Sequence, residues 1–264
     1  MSMQPETPDS DGIASPAGRG RGGRRLSIAL IVLLVGMGGL AASAAGVSSQ
    51  LLPRKFTSAQ QQQIMNWESA RRWRALPAGK IFPATITYQL PAGTLNSGSQ
   101  LPLTAYRVGI ARQGTCAASS DAAAGRVLSA SHCAALLRAT YADETDSMLV
   151  TVGVAVMPSV GAARSAAGKL SGNQEAAVRA LGFRGTLASS FSNRNRQLSW
   201  VTSDGPYVIM TTAGYANGEP RVSVASDPYT DAEMTSVASG IAGAVGTPLG
   251  VQPPSPMCPG APGC

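Results

Sequence analysis

The stretch LLRATYADETDSMLVTVGVAVMP, residues 136–158, contains the strongest secondary-structure signal in the chain. Apolar residues occupy every second position over 137–141, an acidic run follows at 143–146, and valines then occupy every second position over 150–156. Alternation with a period of two is typical of a strand, in which successive side chains point to opposite faces. The stretch therefore predicts a β-hairpin whose turn is the acidic run.

Strand and helix patterns alternate through the rest of residues 84–247. Further strands are predicted at 84–90, 106–111, 196–202 and 206–215, and helices at 120–131, 159–170, 173–182 and 231–245. The helix starts are indicated by capping residues such as Ser159, and the last helix by apolar residues at helical spacing. Hairpins with helices set between them are typical of the α+β class. We expect an α+β domain in which an antiparallel sheet is covered by helices.

A long apolar run at 26–48 carries no charged residue and begins LSIALIVLLVGMGG. It is long enough to cross a hydrocarbon core of about 30 Å as a transmembrane helix. Arginines are denser before the run than after it, which predicts a cytoplasmic N-terminus and an extracytoplasmic C-terminal part. Residues 1–25 have almost nothing to bury and are expected to be disordered. A signal peptide cleaved near residues 42–44, giving a secreted protein, is the alternative, but the length of the run favours an anchor.

Residues 49–83 are predicted to form a juxtamembrane stalk with a helix from Thr57 or Ser58 to about Ala75. One face of this helix is formed by Phe56, Ile64, Trp67 and Ala70, with Trp73 nearby, and its end carries Arg71, Arg72, Arg74 and Lys80. Cations at this end suit the helix dipole. Two interpretations stay open: the helix lies on lipid or a partner, or it packs its tryptophans against its own domain.

The chain is basic, with 21 Lys and Arg against 14 Asp and Glu and a formal net charge of +7. The N-terminal arginines most simply set the topology and contact anionic lipid. Basic residues beyond the apolar run are scattered, without the aromatic interleaving or recognised fold that nucleic-acid binding needs. Membrane lipid is therefore an expected partner, and nucleic acid is not.

Four cysteines in an oxidising, extracytoplasmic compartment predict disulfide bonds. Cys116 and Cys133 bracket the first helix of the domain, and Cys258 and Cys264 bracket a Pro/Gly-rich tail at 248–264. We expect these two local pairs, with a bond from the tail to a second chain as the alternative. A metal site is not predicted, because neither pair has Cys-x-x-Cys spacing and the chain has one histidine.

That histidine lies in LSASHC, residues 128–133, which resembles the histidine motif of trypsin-like serine proteases. The resemblance implies that His132 is a general base, with Asp143 or Asp146 as the nominal orienting acid. The family's Gly-Asp-Ser-Gly-Gly stretch is missing. The nearest fragments are TSDGP at 202–206 and ASGIAG at 238–243. We predict no catalytic residue and interpret His132 as a helix-end residue beside a disulfide, with a serine hydrolase as the alternative function.

No cofactor is expected. The chain contains no Gly-rich phosphate loop of the P-loop or dinucleotide type. The acidic run 143–146 lacks the liganding sequence of an EF-hand loop and is interpreted as a solvated turn.

The order of helix, cysteine, RATY hairpin, Val-rich strand and helix resembles small extracytoplasmic α+β domains of actinobacteria, such as the sensor domains of mycobacterial Ser/Thr kinases. The segment from Phe56 onward is similar to that of actinobacterial single-pass membrane proteins. The resemblance implies a location in the cell envelope and, for a sensor, a ligand or protein partner; likeness of fold does not transfer a function. We expect a membrane-anchored, non-enzymatic domain that binds, senses or supports an envelope assembly. A structural subunit of a secretion or cell-wall complex is a further alternative.

Overall fold

The computed structural model describes residues 57–90, 100–220 and 228–250. The helices are α1 (Ser58–Ala75), α2 (Ala78–Ile81), α3 (Cys116–Ser119), α4 (Ala122–Ala130), α5 (Val160–Leu170) and α6 (Pro228–Gly250), and a 3-10 turn spans Asn193–Asn195. The strands are β1 (Thr85–Leu90), β2 (Leu101–Ile110), β3 (Ala135–Asp143), β4 (Met148–Val156), β5 (Arg196–Asp204) and β6 (Tyr207–Tyr215). The predicted N-terminal region 1–25, anchor 26–48 and tail cysteines Cys258 and Cys264 lie outside the described residues. Among the described helices, none has both the length and the apolar character needed to span a membrane.

The strands form an antiparallel sheet in the order β1-β2-β3-β4-β6-β5. The hairpin predicted at 136–158 is its centre, with Tyr141 opposite Val150 on the neighbouring strand. The second predicted hairpin joins β5 to β6 through Gly205, whose φ of 52° is in the left-handed region that favours glycine. The predicted α+β class, with an antiparallel sheet and helices, is therefore confirmed.

Strand β4 is buried at all nine of its positions, although its alternating sequence is typical of a half-buried strand. The valines of 150–156 belong to a core shared with α6, whereas Ala155 belongs to a second core shared with α4 and α5. Between the valines lie small residues, Thr151, Gly153 and Ala155. These small side chains let a second layer of structure cover the opposite face, which is why the strand shows alternation and complete burial together.

Helix α6 packs along one face of the curled sheet. The residues predicted at helical spacing, Met234, Val237, Ile241 and Val245, are all buried, and they share a core with β1, β3, β4 and β6. The helix is longer than the 231–245 predicted. It approaches β1 so closely at Gly240 that a Cβ added there would overlap the Cβ of Tyr88.

The opposite face of the sheet is covered by α4 and α5. The hydroxyl of Ser159 accepts a hydrogen bond from the amide of Ala162 at 3.1 Å, which confirms the predicted cap of α5. Buried positions of both helices are mostly small: Ala124, Leu128, Ala163, Ala166, Ala167 and Leu170. Alanine at these positions lets the helices lie close to the sheet.

Residues 173–182, predicted as a helix, instead form turns followed by extended backbone, so that prediction is wrong. Val178 pairs with Ser120 as an antiparallel bridge, and the amide of Arg179 donates to the carbonyl of Ser119 at 3.1 Å. Ala176 and Val178 are buried in the second core. Tertiary pairing and burial thus override the helix propensity of the alanines.

Helix α1 has the predicted bounds and begins with a capping box, in which Thr57 and Gln60 each accept a hydrogen bond from the other's amide. Its buried residues are Ile64, Ser69 and Trp73, whereas Trp67 is half-buried. The apolar face therefore differs from the predicted one. Trp73 belongs to the same core as α6 and the sheet, so one tryptophan of the helix packs against its own domain.

Polar contacts reinforce this packing of α1. The buried hydroxyl of Tyr207 on β6 donates to the carbonyl of Ser69 and accepts from the amide of Trp73 at 3.4 Å. The guanidinium of Arg72 donates to the carbonyls of Pro248 at 3.0 Å and Leu249 at 3.2 Å, which belong to the last turn of α6. Carbonyls at a helix end lack intrahelical partners, so Arg72 caps α6. Helix α1 belongs to the same compact unit as the sheet.

Two glycines of α6 provide a matched test of its close packing on β1. Gly240→Ala should lower the free energy of unfolding by about 1–3 kcal/mol, because the new methyl group must displace Tyr88. Gly243 is exposed and has open space around it, so Gly243→Ala should raise that free energy by up to about 1 kcal/mol through helix propensity. Urea denaturation followed by circular dichroism measures both. Equal effects at the two positions would contradict the close approach.

Candidate functional site

The predicted disulfide between Cys116 and Cys133 is present, with a Cα–Cα distance of 6.3 Å. It joins the start of α3 to the segment that follows α4. Cys116 is buried and Cys133 is half-buried. Closing a loop of sequence separation 17 contributes about 3 kcal/mol in the chain-entropy model. The bond therefore fixes α3 and α4 as a unit against the sheet.

His132 lies at the end of α4, as the structural interpretation of the sequence predicts. Its own amide donates to the carbonyl of Ser129 at 3.0 Å, and the amide of Cys133 donates to the carbonyl of Leu128 at 3.0 Å. These two bonds define a Schellman motif, whose first residue after the cap takes left-handed backbone geometry. His132 occupies that position with φ of 58°. Its backbone thus ends the helix, and its side chain is exposed.

The acidic residues nominated as partners of His132 lie far from it. His132 precedes β3, whereas Asp143 is the last residue of that nine-residue strand and Asp146 lies in the turn beyond it. A strand of this length spans about 30 Å. The structure therefore does not bring His132 and either aspartate together.

The two serine fragments nominated with the protease motif also have local structural roles. Residues 238–243 lie inside α6, where the hydroxyl of Ser239 donates to the carbonyl of Thr235 at 2.7 Å. Residues 202–206 form the end of β5 and its turn. In the part of the chain that the structure describes, the imidazole of His132 makes no hydrogen bond or ion pair.

The acidic run 143–146 forms the turn between β3 and β4, and hydrogen bonds to Asp143 hold this turn together. The buried carboxylate of Asp143 accepts hydrogen bonds from the amide of Met148 at 2.6 Å, the hydroxyl of Ser147 at 3.1 Å and the hydroxyl of Thr145. Glu144 accepts from the amide of Thr104 on β2 at 2.9 Å. These bonds commit the carboxylate oxygens of Asp143 to the turn itself.

Beside this turn lie two titratable groups with shifted acidity. Burial raises the pKa of Glu233, and the charge of Asp143 adds to the rise. Burial also raises the pKa of Tyr88, again with a contribution from Asp143, and its hydroxyl has no hydrogen-bond partner among the described residues. Within the described ranges, no group of three or more His, Cys, Asp and Glu side chains is arranged to hold a metal ion.

A polar cluster centres on an ion pair between Arg196 at the start of β5 and Asp121, which precedes α4. Nη2 of Arg196 lies 2.6 Å from Oδ2 of Asp121, and the two side chains are 5% and 13% exposed. Asp121 also accepts from Asn193 at 2.5 Å and from the amide of Ala177 at 3.2 Å. Arg196 donates to the carbonyl of Gln174 at 3.2 Å. The pair therefore joins α4, β5 and the segment around residue 175.

A polar cleft of about 370 Å³ opens beside this ion pair. Its lining combines cations and carboxylates with small side chains: Asp121, Ala122, Ala123, Arg126, Glu175, Asn193 and Arg196. Nε of Arg196 is a buried donor without a hydrogen-bond partner in the described residues. Mixed charge of this kind suits a small polar ligand, while the pairing of Arg196 with Asp121 gives the cluster a structural role of its own.

A second charged surface lies on α1. The guanidinium carbon of Arg71 lies 4.6 Å from the ring centre of Trp67, and that of Arg74 lies 4.7 Å from the ring centre of Trp73. Both arginines are exposed. A groove of about 550 Å³ runs along this surface, lined by Trp67, Glu68, Arg71, Arg72, Arg74 and Ala75.

Comparison of the chain with models of protein families, with curated proteins and with solved structures found no match.

Asp121 lies in the predicted helix 120–131 and Arg196 in the predicted strand 196–202, and no local pattern joins residues so far apart in the chain. The side chain of Asp121 does not bond the amides of α4, so its carboxylate is free to pair with Arg196. The contacts of Arg71 and Arg74 with tryptophans are local and follow from the sequence Trp-Glu-Ser-Ala-Arg-Arg-Trp-Arg at 67–74.

The helix-ending role of His132 predicts that glycine is better at this position. His132→Gly should raise the free energy of unfolding by about 1 kcal/mol, because glycine adopts positive φ without a steric penalty. His132→Ala is the control, because it removes the imidazole but keeps the steric cost of a positive φ. The free energy of unfolding of this variant should stay within about 0.5 kcal/mol of the wild type. Thermal denaturation measures both variants. A loss of stability in both would show that the imidazole holds a contact and would contradict this role.

Proposed function

We propose that the protein is a single-pass membrane protein whose extracytoplasmic domain acts by non-enzymatic binding and supports an assembly of the cell envelope. The observation that carries the proposal is the packing of α1 into the core, through Trp73 and the hydroxyl of Tyr207. Since α1 belongs to the folded unit, residues 49–57 are all that separates this unit from the apolar run 26–48. A linker of this length spans at most about 30 Å. A domain held this near a bilayer suits a supporting role beside other membrane components.

The disulfide supports the proposed compartment. Bonds between cysteines persist in oxidising spaces outside the cytoplasm and are rare inside it. The Cys116–Cys133 bond closes a short loop at the edge of the second core, where it stabilises the domain. This placement is typical of a structural bond in an exported domain.

Several contacts favour binding over catalysis. Asp121 and Arg196 bond each other and neighbouring backbone, with only Nε of Arg196 left without a partner among the described residues, and the carboxylate of Asp143 bonds its own turn. A hydrolase needs a base that is oriented by a second group and that reaches a nucleophile. The exposed position of His132, remote from Asp143, does not favour the hydrolase alternative.

Cysteine labelling in intact cells tests the proposed topology. In a Cys258→Ser/Cys264→Ser background, an impermeant phosphine followed by an impermeant maleimide should label Cys133 without lysis, because this half-buried residue would lie on the outer side. The full-length protein should also stay with the membrane in carbonate, since residues 26–48 would cross the bilayer.

The matched control is the same background with Ser15→Cys, whose added cysteine lies before the apolar run and should react only after lysis. Reaction of Cys133 only after lysis, or release of the intact protein by carbonate, would contradict the anchored topology. A fluorophosphonate probe that labels a serine of the wild type but not of His132→Ala would contradict the non-enzymatic assignment.

A further inference from the structure

Helix α1 presents a basic and aromatic stripe in its C-terminal half, next to the buried Ile64. With 3.6 residues per turn, Trp67, Arg71 and Arg74 lie within about 60° of one another, roughly opposite Trp73. Arg71 and Arg74 are exposed. Neither arginine forms an ion pair with any described residue. The stripe of Trp67, Arg71 and Arg74 is therefore a charged surface without a partner in this part of the chain.

Both arginines of the stripe stack on tryptophan rings, Arg71 on Trp67 and Arg74 on Trp73, and this stacking preorganises their guanidinium groups for an anionic surface. A guanidinium that lies over an indole ring keeps its in-plane N–H donors available, and these donors bind phosphate oxygens well. The half-buried ring of Trp67 combines an apolar body with a polar N–H, a combination that favours the headgroup level of a bilayer. Arg71 and Trp67, 4.6 Å apart, thus offer a phosphate ligand and an interfacial anchor together.

The charge around the stripe has one predominant sign. Residues 57–83 contain four cations, Arg71, Arg72, Arg74 and Lys80, and a single carboxylate, Glu68. Arg72 is engaged with the end of α6, whereas Lys80 is exposed near the stripe in sequence. The excess of positive charge complements anionic phospholipid, and the short linker 49–57 keeps α1 within reach of a bilayer.

We propose that α1 lies along the membrane surface, with Trp67, Arg71 and Arg74 in contact with the phosphates of anionic phospholipids. The inference rests on the anchored topology proposed above. An α-helix of 18 residues is about 27 Å long, and both arginines lie in its C-terminal half. Their contact with lipid requires the helix to lie flat rather than to stand upright. Since α1 is fixed to the core, this contact also sets the orientation of the whole domain on the membrane.

Tryptophan quenching in nanodiscs tests the contact with the full-length protein. Discs of phosphatidylglycerol brominated near the glycerol end of the acyl chains should quench part of the tryptophan emission, and Trp67→Phe should remove most of that quenched part. Arg71→Gln/Arg74→Gln should reduce the quenching by at least half in anionic discs. Each cation near an anionic surface contributes about a fivefold factor to the equilibrium constant for contact with lipid. Arg71→Gln/Arg74→Gln should therefore lower that constant about 30-fold.

The control removes two exposed cations from another helix, in Arg164→Gln/Lys169→Gln, and should quench like the wild type. Discs of brominated phosphatidylcholine should quench the wild type less than anionic discs do. Equal quenching of the wild type and Arg71→Gln/Arg74→Gln, or no quenching of Trp67 in discs that hold the protein, would overturn the lipid contact and leave this face to a protein partner. Failure of the chain to enter discs at all would overturn the anchor itself, and the lipid contact with it.

Discussion

The attachment of α1 to β6 and α6 is the interaction on which the rest of the account depends. The hydroxyl of Tyr207 bonds the helix backbone at Ser69, Trp73 enters the core, and Arg72 caps the end of α6. A helix held by burial and by polar bonds at once is hard to detach, because losing the packing would also leave buried polar groups without partners. Helix α1 is thereby part of the domain. The stripe of Trp67, Arg71 and Arg74 consequently has a fixed orientation relative to the sheet.

The same core explains why the sheet can hold α1 in place. Helix α6 lies on one face and α4 and α5 on the other, so β4 is buried throughout. Small residues make this possible: Gly240 admits Tyr88, and Gly153 leaves room for Val178. Burial on both faces makes the central hairpin a rigid support, and the disulfide and the Asp121–Arg196 pair fasten the second layer to it.

Features governed by near neighbours could be predicted from the sequence. The hairpins, the helices α1, α4 and α5, and the Cys116–Cys133 bond follow from periodicity, helix-start signals and short spacing. Features governed by distant partners could not. Residues 173–182 have helical propensity but pair with Ser120, and Arg196 meets Asp121 only once the sheet has formed. The local interpretation of His132 as a helix-end residue follows from its neighbours, whereas the pairing with Asp143 that the protease resemblance implies is not formed, because the whole of β3 separates the two residues.

Native-state hydrogen exchange of the full-length protein tests the central claim, that α1 is part of the folded core, most directly. Amides in the second half of α1, including that of Trp73, should exchange only through the opening that also exposes β6 and α6, and so with the same free energy. Tyr207→Phe should make these amides exchange faster than those of α6. Rapid exchange of α1 in the wild type, while β6 and α6 stay protected, would mean that the helix is a separate element and would contradict the account.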